Sequence, residues 1–163
     1  MQNSMTVSKA VSTIHLEWKG EHRFDTGRPG GPTLRLDGNG DTGQSPVDAL
    51  MSALTACTAV DVVEILAKRR TPLSALSIDT VGTRAETVPK RVVSVLLTYQ
   101  MSGDGVDRVH AERAVELAIT KYCSVRDSLD PAMTMHYSVV LNGDVGPTKL
   151  AGAADASTAA VSA

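Results

Sequence analysis

Two residues in this chain of 163 have side chains that can serve at once as nucleophile, redox centre and soft metal ligand: Cys57 and Cys123. Residue types leave three readings open. The thiols are small buried side chains without chemistry, a pair that cycles between dithiol and disulfide, or part of a metal site completed by histidines. His15, His22, His110 and His136 fall on four separate segments, so no local metal pair exists. A reactive thiolate needs a cation nearby to lower its pKa. Asp61 and Glu64 follow Cys57 at helical spacing, within about 40° on a helical wheel along with Lys68. Two carboxylates there disfavour a thiolate, so the cation has to come from elsewhere; Arg23, Arg28, Arg35 and Arg84 are the candidates.

Cys57 lies in a segment that reads as one long helix. Ser45-Pro46-Val47-Asp48 is a strong start, with a capping serine, proline at the first helical position and an acid three residues after the cap. The pattern predicts a helix to about Arg70, where Thr71-Pro72 ends it. Leu50, Met51, Leu54, Val60, Val62 and Val63 make most of its faces apolar, which calls for cover on more than one side, with a partner subunit as one source.

Before it, alternation predicts strands over Val11–Trp18, about His22–Asp25, and Thr33–Leu36. After it come strands over Leu76–Arg84 and Val92–Ser102, then a helix capped by Asp107 and running to about Tyr122. The apolar face of that helix is Val115, Ala118, Ile119 and Tyr122. A short helical turn follows from Cys123 to Leu129, and a last strand covers Met133–Leu141. Grouped strands with interposed helices indicate an α+β fold with a largely antiparallel sheet. Residues 1–10 read as a loose leader, 11–143 as a single domain and 144–163 as a disordered Ala/Gly/Ser/Thr-rich tail.

Composition narrows the classes. Sixteen basic against 18 acidic residues leave a net charge of -2, which offers nucleic acid or an anionic membrane no attractive field. One Trp, one Phe and three Tyr are too few rings for a single-strand stacking platform. No signal peptide and no charge-free run of about 18 apolar residues is seen, so neither export nor a membrane span is expected. A cytoplasmic location with reduced thiols follows as the expectation. Asp37-Gly38-Asn39-Gly40-Asp41 begins like a calcium loop, but Thr42 stands where the turn needs glycine and Asp48 where a longer Glu is needed. Gly27-Arg28-Pro29-Gly30-Gly31 lacks dinucleotide-binding and P-loop spacing, and no G-x-S-x-G occurs.

The run Ser45-Pro46-Val47-Asp48-Ala49-Leu50-Met51-Ser52-Ala53-Leu54-Thr55-Ala56-Cys57 resembles the central helix of the OsmC/Ohr family. Lys121-Tyr122-Cys123-Ser124-Val125 resembles the family's second-cysteine segment, and Thr83-Arg84-Ala85-Glu86 with Pro89 resembles a strand pair of its OsmC-like subgroup. The resemblance covers roughly residues 12 to 142. It implies an OsmC-like fold, with curved antiparallel sheets around a long central helix in an intertwined homodimer. It further implies a thiol peroxidase that reduces organic hydroperoxides or hydrogen peroxide, with Cys57 attacking the peroxide, Cys123 resolving the product and Arg35 activating the thiolate. Such an enzyme uses no metal or organic cofactor and draws electrons from a dithiol reductant such as a lipoylated protein. One departure stands out: the position directly after the proline, a Glu in the family, is Val47 here, with the shorter Asp48 following. It motivates the alternative of a dimeric binding or stress protein with little or no peroxidase activity.

Overall fold

The computed structural model describes residues 11–153, which form two compact units, one up to Leu50 and one from Met51 on. The single domain expected over 11–143 is thus divided, with the boundary inside the first turns of the long helix.

The first unit is an antiparallel three-stranded sheet in the order β1 (His15–Trp18), β2 (Arg23–Gly27), β3 (Thr33–Asp37). Its register sets Leu16 opposite Thr26 and Trp18 opposite Phe24; across the next pair, Phe24 faces Leu36 and Thr26 faces Leu34. Because side chains alternate, these residues share one mostly apolar face. Glu17, Asp25 and Arg35 lie on the other, in register with one another. The loop after β3 is organised by Asp37, whose buried carboxylate accepts from Asn39 N at 2.9 Å, Thr42 N at 3.0 Å and Thr42 Oγ1 at 2.8 Å. These bonds account for the Asp-Gly-Asn-Gly-Asp run as a tight turn into the helix.

Helix α1 spans Pro46–Lys68. Ser45 caps it as expected: Asp48 N donates to Ser45 Oγ at 3.2 Å and Ser45 Oγ donates to Asp48 Oδ2 at 2.7 Å. Among the described residues it is the one helix long and apolar enough, by length and composition, to cross a membrane. Its row Leu54, Thr58, Val62 and Leu66 is buried in the core of the second unit.

That unit is built on a five-stranded sheet. β4 (Ala75–Arg84) pairs antiparallel with β5 (Val92–Ser102), which pairs parallel with β6 (Thr134–Leu141). Val95, Leu97, Tyr99 and Met101 of β5 align with Met135, Tyr137, Val139 and Leu141 of β6, and all eight are buried. Met51 of α1 lies over β4 so closely that a Cβ on Gly82 would collide with its sulfur.

Helix α2 (Arg108–Leu117) is capped by Asp107, which accepts from His110 N at 2.9 Å. Its inward row Ala111, Ala114, Val115 and Ala118 would place residue 122 next in an unbroken α-helix. A π-turn over Ala118–Tyr122 intervenes, closed by Cys123 N donating to Ala118 O at 2.9 Å. The extra residue leaves Tyr122 49% exposed and turns Cys123 inward at 3%, so Tyr122 does not belong to the apolar face expected of it. Helix α3 (Ser124–Asp127) follows.

The tail expected to be disordered from 144 is structured through residue 153. β7 (Asp144–Val145) and β8 (Lys149–Leu150) both pair with β6. Arg108 holds the segment through Asp144 Oδ2 at 2.9 Å and Asp144 O at 2.7 Å, and Lys149 reaches Glu112 at 2.7 Å. Ala/Gly-rich composition hid these anchors, which sit on α2. The remainder of that tail and the leader 1–10 lie outside the described residues.

Candidate active site

Cys57 occupies the middle of α1, half-buried, and Cys123 stands buried between the π-turn and α3. Both thiols are free, and Cys57 is close enough to raise the Cys123 thiol electrostatically. The fold therefore brings together two cysteines that lie far apart in sequence, one from each cysteine segment.

Their surroundings differ. Cys123 caps α3, its sulfur accepting from Arg126 N at 3.3 Å. Burial pushes the Cys123 thiol up to about 11; the Arg126 N–H opposes this and the Cys57 thiol adds to it. Cys123 is thus held as a neutral thiol near neutral pH, while Cys57 is the more open sulfur of the two.

The turn carrying Cys57 is fixed by a hydroxyl chain. Tyr99 Oη donates to Thr58 Oγ1 at 2.7 Å, and Thr58 Oγ1 donates to Thr55 O at 2.9 Å. Tyr99 and Thr58 are both fully buried, and burial keeps the phenol protonated far above neutral pH. Thr55 Oγ1 also lies 2.6 Å from Thr80 Oγ1 on β4. Sequence reading missed this chain; a Thr next to the cysteine and a Tyr on a buried strand gave no signal of pairing across 41 positions.

On the polar side of the first unit, the Arg35 guanidinium is paired with the Asp25 carboxylate through Nε to Oδ1 and through Nη2 to Oδ2, the latter at 3.1 Å. The Arg35 hydrogen bond is the main cause holding the Asp25 carboxyl below its ordinary value. Gly43 lies against Arg35, where any Cβ would run into its carbonyl and Cγ. Asp25 was also overlooked; alternation on the β2–β3 hairpin would have set it across from Arg35. Asp48 is spent on Ser45.

Of the other cationic candidates, Arg23 binds Glu21 at 2.9 Å, Arg28 is exposed, and Arg84 Nε donates to Lys90 O at 2.7 Å. On α1 itself, Glu64 pairs with Lys68 at 3.1 Å, and burial, then Glu64, raises Asp61. Among the described residues no group of three or more His, Cys, Asp or Glu side chains is placed to hold a metal ion.

A model of the family described as "OsmC-like protein" matches residues 38–138. Protein YhfA of Escherichia coli K12 is 32% identical over 109 residues, covering 66% of this chain and 81% of YhfA. A hypothetical protein from Aquifex aeolicus superposes with a TM-score of 0.72 at 28% identity, covering 80% of this chain and 96% of that one. An OsmC-like protein from Mycoplasma pneumoniae gives 0.69 at 14% identity, over 79% and 95%. The organic hydroperoxide resistance protein OhrB of Bacillus subtilis gives 0.52 at 13%, over 80% and 98%, a likeness of fold.

Proposed function

The chain belongs to the OsmC-like protein family, and on that premise we propose that it is a cysteine-dependent peroxidase reducing organic hydroperoxides or hydrogen peroxide. The observation that carries the reading is the pair of free, electrostatically interacting thiols, one half-buried and one buried.

In this reading the Cys57 thiolate attacks the distal peroxide oxygen. The O–O bond breaks, the alkoxide or hydroxide takes up a proton and leaves as alcohol or water, and Cys57 becomes a sulfenic acid. The Cys123 sulfur then attacks Cys57 Sγ; its proton and the hydroxyl leave together as water, and a disulfide remains. An external dithiol, such as a lipoylated protein, supplies two electrons and two protons to restore both thiols. The neutral, raised Cys123 thiol suits the resolving role, since it does not compete for peroxide while Cys57 is reduced. By the family resemblance Arg35, which here is paired with Asp25, is the proposed activating cation and stabiliser of the departing oxyanion.

The same reading makes the protein a homodimer. Leu50, Val60 and Val63 of α1 are 40%, 57% and 45% exposed, and Trp18 is 66% exposed. Apolar area of this kind gains free energy when a second copy covers it.

In a dithiol-coupled assay wild-type protein is expected to consume peroxide, and Cys57→Ser to lose at least a hundredfold in rate. Absence of wild-type turnover with any hydroperoxide would remove the enzyme reading. Its alternative is a dimeric OsmC-like binding or stress protein, favoured by Val47 at the family's Glu position and by the engagement of Asp48 with Ser45. Mass spectrometry after brief peroxide exposure separates the two: rapid Cys57–Cys123 disulfide formation for the enzyme, slow indiscriminate oxidation for the binder.

A further inference from the structure

Four arginines of the described chain are half-buried: Arg23, Arg35, Arg108 and Arg126. Arg23 holds Glu21, Arg35 holds Asp25, and Arg108 holds Glu112 and Asp144. Arg126 holds no carboxylate among the described residues. Its Nη2 donates to Met133 O at 3.2 Å, which uses one of five guanidinium N–H donors. The others have no acceptor among the described residues. None of these nitrogens is sealed from solvent, so they are open to an incoming anion.

Arg126 lines a cleft of about 440 Å³ between the π-turn, α3, the start of β6 and the end of β8. That volume is in the range of small-molecule sites. Ile119, Met133, Met135 and Leu150 contribute apolar surface to the cleft, and Thr120 and Thr134 are also among its lining residues. Asp127 stands exposed on its rim. One planar cation beside a lining that is part apolar and part polar suits a monoanionic headgroup with a short hydrocarbon body. A carboxylate fits the guanidinium fork in bidentate fashion. A dianion such as phosphate is disfavoured by the single positive charge and by Asp127.

We propose that this cleft is a binding site for a small amphiphilic carboxylate, with Arg126 as its counter-ion. The site stands whether or not the thiol pair turns over peroxide, because it uses neither sulfur.

The test is calorimetric titration of the reduced full-length protein with octanoate, with octanol and inorganic phosphate as controls. Octanoate is expected to bind, octanol at least tenfold more weakly, and phosphate not to compete. Arg126→Gln should weaken octanoate at least tenfold. Since that change also removes the bond to Met133, Ala132→Trp provides a second arm: it fills the cleft and leaves Arg126 in place, and it too should weaken octanoate at least tenfold. Circular dichroism of both variants verifies folding, and if Arg126→Gln fails to fold, Ala132→Trp decides. The proposal is overturned if wild-type protein does not bind octanoate at millimolar concentration, if octanol binds equally well, or if Ala132→Trp binds like the wild type.

Discussion

The three-stranded and the five-stranded sheet are written in the same alternating script, yet they use it differently. In β5 and β6 every second side chain is buried, and the row from Val95 to Met101 is closed by α1 and α2 residues of the same core. In β1–β3 the equivalent row, Leu16, Trp18, Phe24 and Leu34, stays open, with Leu16 and Leu34 each 51% exposed. Alternation therefore tells which side chains share a face and nothing about what covers it. The first sheet instead draws its internal order from polar contacts, the Arg35–Asp25 pair and the three bonds to Asp37.

The contrast breaks or holds on stability measurements. Leu97→Ala, at a fully buried position, is expected to cost about 2–5 kcal/mol by denaturant unfolding. Trp18→Ala should stay within about 0.5 kcal/mol in a monomer, and a larger, concentration-dependent loss would show that a second copy covers the face. Comparable losses at dilute, strictly monomeric protein would contradict the distinction between the sheets.

A smaller effect sharpens the account of the cysteine-bearing turn. Thr58→Val leaves the Tyr99 hydroxyl buried without an acceptor and is expected to cost about 1–3 kcal/mol. Adding Tyr99→Phe should restore part of that, because both polar partners are then gone; an additive double mutant would dissolve the coupling.

The smallest effect concerns acid. Asp37 is held below its ordinary value, first by the Asn39 N–H, then by the Thr42 hydroxyl. A depressed carboxyl contributes stability that is complete above its unfolded pKa of about 3.9 and is lost as pH falls through the lower folded value. Below about pH 4 the first unit should loosen, as read by the fluorescence of Trp18, the single tryptophan. Asp37→Asn should flatten that acid slope, and an unchanged slope would remove Asp37 as its cause.

Much of this was legible before any coordinates. The start of α1, its capping serine, the strands β3 to β6 and the Asp107 cap all follow from local rules of caps, breakers and period-two alternation. Where reading failed, the cause was tertiary. Tyr122 was placed inward because α-periodicity demands it, and one extra residue in the π-turn gave that place to Cys123. Residues 144–153 look like spacer by composition, but their partners, Glu112, Arg108 and β6, lie elsewhere in the chain.

By itself the sequence determined the order of helices and strands, the side chains sharing each face, and the two segments that carry the thiols. All of these depend on neighbours a few residues away, through dihedral preferences and repeat geometry. Only the tertiary structure decided that Cys57 comes close enough to act on Cys123, that Tyr99 finds Thr58, and that Arg126 holds no carboxylate among the described residues. Such meetings are settled by long-range packing, where a shift of one residue along a helix exchanges a buried side chain for an exposed one.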